Sequence, residues 1–407
     1  MRIEIQDFGP IREGAFTLKP LTVFIGPNNS GKSYMATLAY ALRNAESQLS
    51  RLRFATPENP EVEFQNWLAR ELERCFGCEL SSLVRAGAPA SHVVFLGDEA
   101  RLVFDLTAGN NELDLRSLVP PLDRAARALL AGEGQVPLSS FFQNLFGVER
   151  HSHYLPAARS GILQGYKVLA GAIVSQMPLV GLRPIEIPRL SGVVADFIGK
   201  LLQLEKQRAD GAAVGEFLEK ELCGGAIELE KETKSQSPEI VYHYRNLKLP
   251  VHRTSSMISE TAPIVLFLKH VVRRGNLLII EEPEAHLHPA AQLIMARGLA
   301  RTVRAGVNVL ITTHSDYLVH QISNLILLSS VPQPKRSELQ YDEQECLKAD
   351  EVAAYLFECT NEGSVIRELQ VTPTDGIPEQ EFLKIAEAIY DETVDLERHG
   401  ASTHEPL

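Results

Sequence analysis

Long hydrophobic runs, paired cysteines and positive charge are all scarce in this chain of 407 residues. The longest apolar stretches, Pro263 to Leu268 and Leu277 to Ile280, fall far short of the roughly 20 residues that span a bilayer, so no membrane-spanning helix is expected. Five cysteines without an even framework of spacings exclude a disulfide-stapled secreted domain. The N-terminal MRIEIQDFGP has no charged-then-apolar signal layout, so a reducing, bacterial-type cytoplasm is the expected compartment. With 40 basic against 52 acidic residues the formal charge is -12, which argues against an all-round positive coat and leaves room only for local basic patches. Internal repeats and long heptad runs are absent as well, which removes solenoids and coiled-coil arms. What is present is 44% hydrophobic composition and a length that, at roughly 150 residues per domain, allows two or three lobes around a sizeable core.

Apolar residues alternate over Ile3 and Ile5, then Phe16 and Leu18, and become nearly continuous at Leu21, Val23, Phe24 and Ile25. This predicts an antiparallel pair leading into a strand covered on both faces. After Gly26 the spacing turns helical from Lys32, with Met35, Leu38, Ala39 and Leu42 on one stripe. From Ser259 the pattern is again α/β: helix Ser259 to Val272, strand Leu277 to Ile280, helix Ala290 to Arg304, strand Val307 to Thr312, helix Tyr317 to Ser323 and strand Leu325 to Leu328. Strands alternating with helices of 10 to 15 residues imply a parallel sheet with right-handed crossovers.

The expected organisation is therefore an α/β domain split in sequence. Residues 1–50 form its first part, 51–250 a mainly helical insertion with short hairpins, 251–335 its second part, and 336–407 a C-terminal hairpin and acidic helix. Within the insertion the patterns predict helices Glu61 to Val84, Pro121 to Leu130, Gly192 to Glu205 and Val214 to Leu222. They also predict hairpins from Val93 to Leu96 with Leu102 to Leu106, and from Ile227 to Glu230 with Ile240 to Tyr244. Composition breaks fall at Thr56 to Pro60, Ala131 to Pro137 and Lys231 to Pro238. The last hairpin pairs Val352 to Glu358 with Val365 to Val371 about Asn361-Glu362-Gly363, and the acidic helix Glu379 to Arg398 is either a docking surface or a solvated cover.

Three constellations carry chemistry. Gly26-Pro27-Asn28-Asn29-Ser30-Gly31-Lys32-Ser33 matches G-x-x-x-x-G-K-S in full, between a predicted strand and a helix. Such a loop turns backbone N–H groups of Gly26, Asn28, Asn29, Ser30 and Gly31 around phosphate oxygens, while Lys32 reaches the β and γ phosphates of ATP and the Ser33 hydroxyl ligates Mg²⁺. The strand Leu277 to Ile280 then delivers Glu281 and Glu282 at its C-terminal end, where open α/β sheets bind ligands. Glu281 is assigned to the Mg²⁺ shell through water and Glu282 to the attacking water. At the tip of the next strand, His314 is placed to contact the γ-phosphate.

Two further patterns look like chemistry and are read otherwise. His286-Leu287-His288 lacks the other ligands of a zinc site and is read as a loop touching a neighbouring subunit. Cys75 and Cys78 form a single C-x-x-C on a predicted helix, read as packing.

These elements, in this order, resemble the ATP-binding-cassette ATPases of the RecF, SMC and OLD (overcoming-lysogenisation-defect) group. The resemblance rests on Ile5-Gln6-Asp7-Phe8-Gly9-Pro10-Ile11 before the glycine loop and on Glu281-Glu282-Pro283-Glu284-Ala285-His286-Leu287-His288-Pro289. It covers roughly Met1 to Ala45 and Val251 to Leu328. It implies an ABC-type P-loop NTPase head, with a mixed sheet flanked by helices, that closes on a second copy around ATP. A signature serine would come from Arg253 to Glu260, with Ser255 or Ser256 acting in trans. Tyr154-Leu155-Pro156-Ala157-Ala158-Arg159-Ser160-Gly161 resembles a motif of standalone OLD-like ATPases of bacterial antiphage defence, the Septu type among them. Arg159 then senses nucleotide or partner head, or is a helix-start arginine with a surface salt bridge, and Gln164 is the candidate for the glutamine loop.

No D-x-D follows His314, and fewer than about 100 residues remain, too few for an added Toprim nuclease on ordinary domain sizes. The resemblance thus implies an ATPase that regulates a separate effector, a nuclease by this reading, with no membrane partner. Two competing expectations are a RecF-like or SMC-like clamp on duplex DNA, with Arg51, Arg53, Arg273 and Arg274 as its local basic patch, and an assembly scaffold that binds ATP but scarcely hydrolyses it.

Overall fold

The computed structural model describes residues 1–49, 60–97, 101–119, 151–176, 190–230, 238–378 and 390–397. The expected helix Pro121 to Leu130, the breaks near 56–59 and 131–137, most of Lys231 to Pro238, Arg51, Arg53 and most of the helix expected at Glu379 to Arg398 lie outside the described residues. Within that last segment, residues 390–397 are helical.

Strands β1 (Arg2–Phe8), β2 (Ile11–Thr17), β3 (Leu21–Ile25), β4 (Ala90–Leu96), β5 (Arg101–Thr107), β6 (Leu113–Val119) and β7 (Ser152–Leu155) come from the first part of the chain. A small antiparallel sheet follows, built from β8 (Ala226–Glu230), β9 (Glu239–Tyr244) and β10 (Leu247–Pro250). The chain returns to the main sheet with β11 (Leu277–Glu281), β12 (Asn308–Thr313), β13 (Val352–Thr360) and β14 (Gly363–Leu369). Among the described residues the main sheet has eleven strands in the order β6-β5-β4-β1-β2-β14-β13-β3-β12-β11-β7. It is mixed: β6 to β2 pair antiparallel, whereas β13, β3, β12, β11 and β7 run parallel.

The near-continuous apolar reading of β3 has its cause here. Leu21, Val23 and Ile25 face one core and Phe24 the other, and every residue of the strand is buried. The same division runs through β11, where Leu278 and Ile280 join the first core and Leu277 and Ile279 the second. Helices α1 (Lys32–Leu49) and α2 (Pro60–Phe76) cover the second face, and Met35, Leu38, Ala39 and Leu42 are fully buried on the predicted stripe. The first face is covered mainly by α3 (Arg159–Gln176), α4 (Gly192–Leu202), α5 (Ala212–Leu218), α6 (Ser256–His270), α7 (Pro289–Arg304) and α8 (Asp316–Leu327). Among the described residues no helix is long and apolar enough to cross a membrane.

Both predicted hairpins form, Ala90–Leu96 with Arg101–Thr107 and Ala226–Glu230 with Glu239–Tyr244. The C-terminal hairpin forms too, and it lies inside the main sheet between β2 and β3. Two expectations are corrected. The strand expected at Leu325 to Leu328 is the end of α8: Leu318, Val319, Ile322, Leu325 and Ile326 are buried at helical spacing, so the short apolar run was one face of a helix. The helix expected from Glu61 to Val84 stops at Phe76, where Gly77 takes φ 69° and donates its N–H to the Glu73 carbonyl at 2.8 Å, a left-handed helix end. β6, β7 and β10 were not anticipated, and of α3 only a start at Arg159 was.

Candidate nucleotide site

Parallel register sets the site. Ile25 pairs with Thr313 across β3 and β12, and Thr312 with Glu281 across β12 and β11, so the glycine loop, the acidic pair and His314 all leave the sheet at one edge. A cavity of about 800 Å³ opens there, lined by Asn28 to Tyr34 together with Glu282, Thr312, the Gly9-Pro10 turn and Ser82, Val84 and Ala86.

The loop conformation demands its glycines. Gly26 has φ 147°, and a Cβ there would stand 2.5 Å from the Phe357 carbonyl oxygen of the adjoining strand. Gly31 has φ 97° and lies against Ile11. Asn29 adds a left-handed residue at φ 61°, and such alternations turn successive N–H groups toward one point, the geometry of an anion nest. Ser30 Oγ donates to the Pro27 carbonyl at 2.8 Å and closes the turn. Lys32 is buried and its ammonium donates to the carbonyls of Gly26 and Pro27, both at 2.7 Å. Burial pushes its pKa down, opposed by attraction to Glu282, Glu284 and Glu281. Ser33 is exposed on the cavity wall.

The two adjacent acids occupy different surroundings. Glu281 is buried; Oε2 accepts the Ala157 N–H at 3.3 Å, and Oε1 is buried with no hydrogen-bond partner among the described residues. Tyr154, whose hydroxyl is 3.4 Å from that of Thr37, lies close by; burial first, and this carboxylate second, hold its phenol well above the usual range. Glu282 has a side chain 33% exposed, 3.7 Å from His314 Nδ1. Its backbone is left-handed, φ 44°, at a cost of about 1–3 kcal/mol for a non-glycine residue. Its N–H donates to the Thr312 carbonyl at 2.9 Å.

His314 stands in an adjoining depression of about 530 Å³ that also contains Glu282, Glu284, His286 and Tyr317. Buried Glu284 organises it: Oε1 accepts the Thr313 hydroxyl at 2.6 Å and the His314 N–H at 3.1 Å, and burial raises this carboxyl against those donors. Ser255 and Ser256 line neither cavity. They sit exposed at the start of α6, where Ser255 Oγ accepts the Ile258 N–H as an N-cap. His288 caps α7 through Nδ1, while His286 is exposed with φ 59°. Cys75 is buried and donates to Glu71 at 3.4 Å.

Arg159 is corrected. It does start a helix, but its salt bridge is buried and not on the surface: the side chain is 0% accessible and holds backbone carbonyls at the end of β11. Gln164 is exposed on α3. Sequence reasoning missed Thr312, Glu284 and the Ser82 to Ala86 wall. That wall is placed by long-range bonds, from Gly9 N–H to the Leu83 carbonyl and from Arg85 to Asp7, both 2.6 Å, which leave no local signature.

The donor set fits Mg-ATP. The loop offers turned N–H groups and a lysine, Ser33 offers a hydroxyl, and Glu281 offers a buried carboxylate oxygen without a partner. Among solved structures the chain is similar to an Smc head bound to the C-winged helix domain of ScpA, with TM-score 0.48 and 11% identity over 91% of this chain and 97% of that one. It is also similar to the Smc head domain with an extended coiled coil bound to the C-terminal domain of ScpA derived from Pyrococcus furiosus, with TM-score 0.45 and 13% identity over 96% and 98%. A third is the SMC head domain from Thermotoga maritima, with TM-score 0.39 and 13% identity over 91% and 98%. No curated protein matches the chain. Residues 194–319, which contain α6, the acidic pair, α7, Thr312 and His314, match the family model of an AAA ATPase domain, and this supports an ATPase.

Proposed function

We propose that this chain binds Mg-ATP and hydrolyses it, with two copies closing head to head around the nucleotide. We further propose that this cycle regulates a separate effector, a nuclease, in bacterial antiphage defence in the cytoplasm. The observation that carries the hydrolytic reading is the convergence of the glycine loop, Lys32 and Glu282 on one cavity, with His314 3.7 Å from Glu282. The defence setting is supported by the resemblance of the motif from Tyr154 to Gly161.

Ser33 and Glu281 would hold Mg²⁺, which when bound supplies Lewis-acid charge at the phosphates. Lys32 supplies positive charge from within the loop, where burial lowers its pKa and attraction to Glu282, Glu284 and Glu281 opposes that shift. Glu282, the more open of the two strand-end acids, orients a water and accepts its proton on a carboxylate oxygen. His314 lies against that same carboxylate, fixed from behind by Glu284, and so couples the γ-phosphate end of the cavity to α8. The exposed start of α6 is free to offer Ser255 or Ser256 to a second copy.

The test is Glu282→Gln. Nucleotide binding should persist, turnover should fall by about 100-fold or more, as removal of a general base does, and light scattering should show the mass double on adding Mg-ATP. Undiminished hydrolysis removes Glu282 from its role. A mass gain only when duplex DNA is added with ATP replaces the effector reading with a DNA clamp.

A further inference from the structure

Arg159, the first residue of α3, is a fully buried cation with all three guanidinium nitrogens engaged. Nε donates to the Glu260 carbonyl at 3.1 Å and faces the Glu260 carboxylate at 3.2 Å. Nη1 donates to the carbonyls of Pro156, at 3.0 Å, and Glu281, at 2.6 Å, and Nη2 donates to the Glu282 carbonyl at 3.0 Å. One guanidinium therefore joins three pieces of chain: the turn after β7, the two consecutive peptides that carry the acidic pair, and α6.

Glu282 is the residue held in a left-handed conformation, and such conformations persist only where the surroundings over-determine them. The N–H side of this residue is fixed by Thr312, and Arg159 fixes its carbonyl side. Glu260 is itself anchored, since its other oxygen accepts the Ser160 N–H at 3.1 Å and the Ser160 hydroxyl at 2.7 Å. It lies about one helical turn beyond Ser255 and Ser256. We infer that Arg159 is a positioning residue for hydrolysis: it holds the turn at Glu281 and Glu282 in its left-handed form and makes the aim of the Glu282 carboxylate depend on where α6 sits. This rests on the role of Glu282 proposed above.

A buried ion pair that merely stabilised the fold would lose stability and all activities together when altered, so the test separates these. Arg159→Lys keeps a cation opposite Glu260 but lacks the planar fork that spans two carbonyls. It should melt close to the wild type and bind a fluorescent ATP analogue with unchanged affinity. Its kcat should drop about 100-fold, the scale expected when a reacting group is misplaced by about an ångström, with KM within about threefold. Arg159→Gln combined with Glu260→Gln removes both buried charges together, leaves no unpaired carboxylate, and should show the same split.

Unchanged kcat in either folded variant overturns the inference, as does a parallel loss of kcat and nucleotide affinity. Failure of both variants to fold does so as well, by making Arg159 a residue of the fold alone. Wild type and Glu282→Gln are assayed alongside. Hydrolysis insensitive to Glu282→Gln sinks the role of Glu282 itself, whereas hydrolysis lost there and intact in Arg159→Lys sinks only the inference about Arg159.

Discussion

Three glutamates within four positions, Glu281, Glu282 and Glu284, meet three different fates. Glu281 is buried with one oxygen unpartnered, Glu282 is part-exposed beside His314, and Glu284 is spent on the Thr313 hydroxyl and the His314 N–H. Sequence spacing could assign the first two, because a strand end presents consecutive carboxylates to the same edge. It could not assign the third, whose partners lie on another strand. Glu284→Ala leaves the buried Thr313 hydroxyl and the part-buried His314 N–H without this acceptor, so stability should fall by about 1–3 kcal/mol in urea unfolding. Hydrolysis, followed by phosphate release, should fall about tenfold as His314 loses its support. Glu284→Gln, whose amide oxygen can accept both bonds, should recover most of each loss.

Among the elements, the strand–loop–helix at β3 and α1 was legible because one motif and two periodicities agree over a short stretch. β7 was not, since four consecutive buried residues give no period to read. The apparent strand at Leu325 to Leu328 misled for the converse reason: an apolar run that short fits either element. The loop also depends on an element remote in sequence. Gly26 has room for no side chain because β13 runs alongside β3, bringing the Phe357 carbonyl within 2.5 Å of any Cβ. Gly26→Ala should therefore cost more than about 2 kcal/mol, combining backbone strain with displacement of a core strand, and should weaken nucleotide binding. Chemical denaturation with and without Mg-ATP measures both.

At the scale of the whole molecule, the sheet takes strands from all four sequence segments, and nothing local specifies which distant strands pair. The hairpins could be read, but not their places in an eleven-strand order, because pairing at long range is decided by packing and not by period. Global stability should carry the mark of one buried group at the sheet edge. His153 on β7 packs against Phe267, and burial, with lesser contributions from Lys200 and His151, lowers its pKa from 6.5 to about 3, the bond to Asn276 at 3.2 Å opposing. The unfolded chain protonates first, so this contribution to stability is complete above about pH 6.5 and is lost as pH falls toward 3, at up to about 1.4 kcal/mol per pH unit. His153→Gln should flatten that slope, measured as unfolding free energy at pH 7, 6 and 5 against the wild type.

The pairing of Leu21 with Val352 has a consequence for synthesis. The strand that bears the phosphate loop leaves the ribosome long before the neighbour that holds Gly26 in place. Until β13 arrives, Phe24 lacks Tyr355 and Phe357, two of the aromatic rings it packs against in the finished sheet. Nascent chains of this protein should therefore expose an aromatic seam until β13 has been made and gain nucleotide binding only after it, a window in which exposed apolar surface invites aggregation.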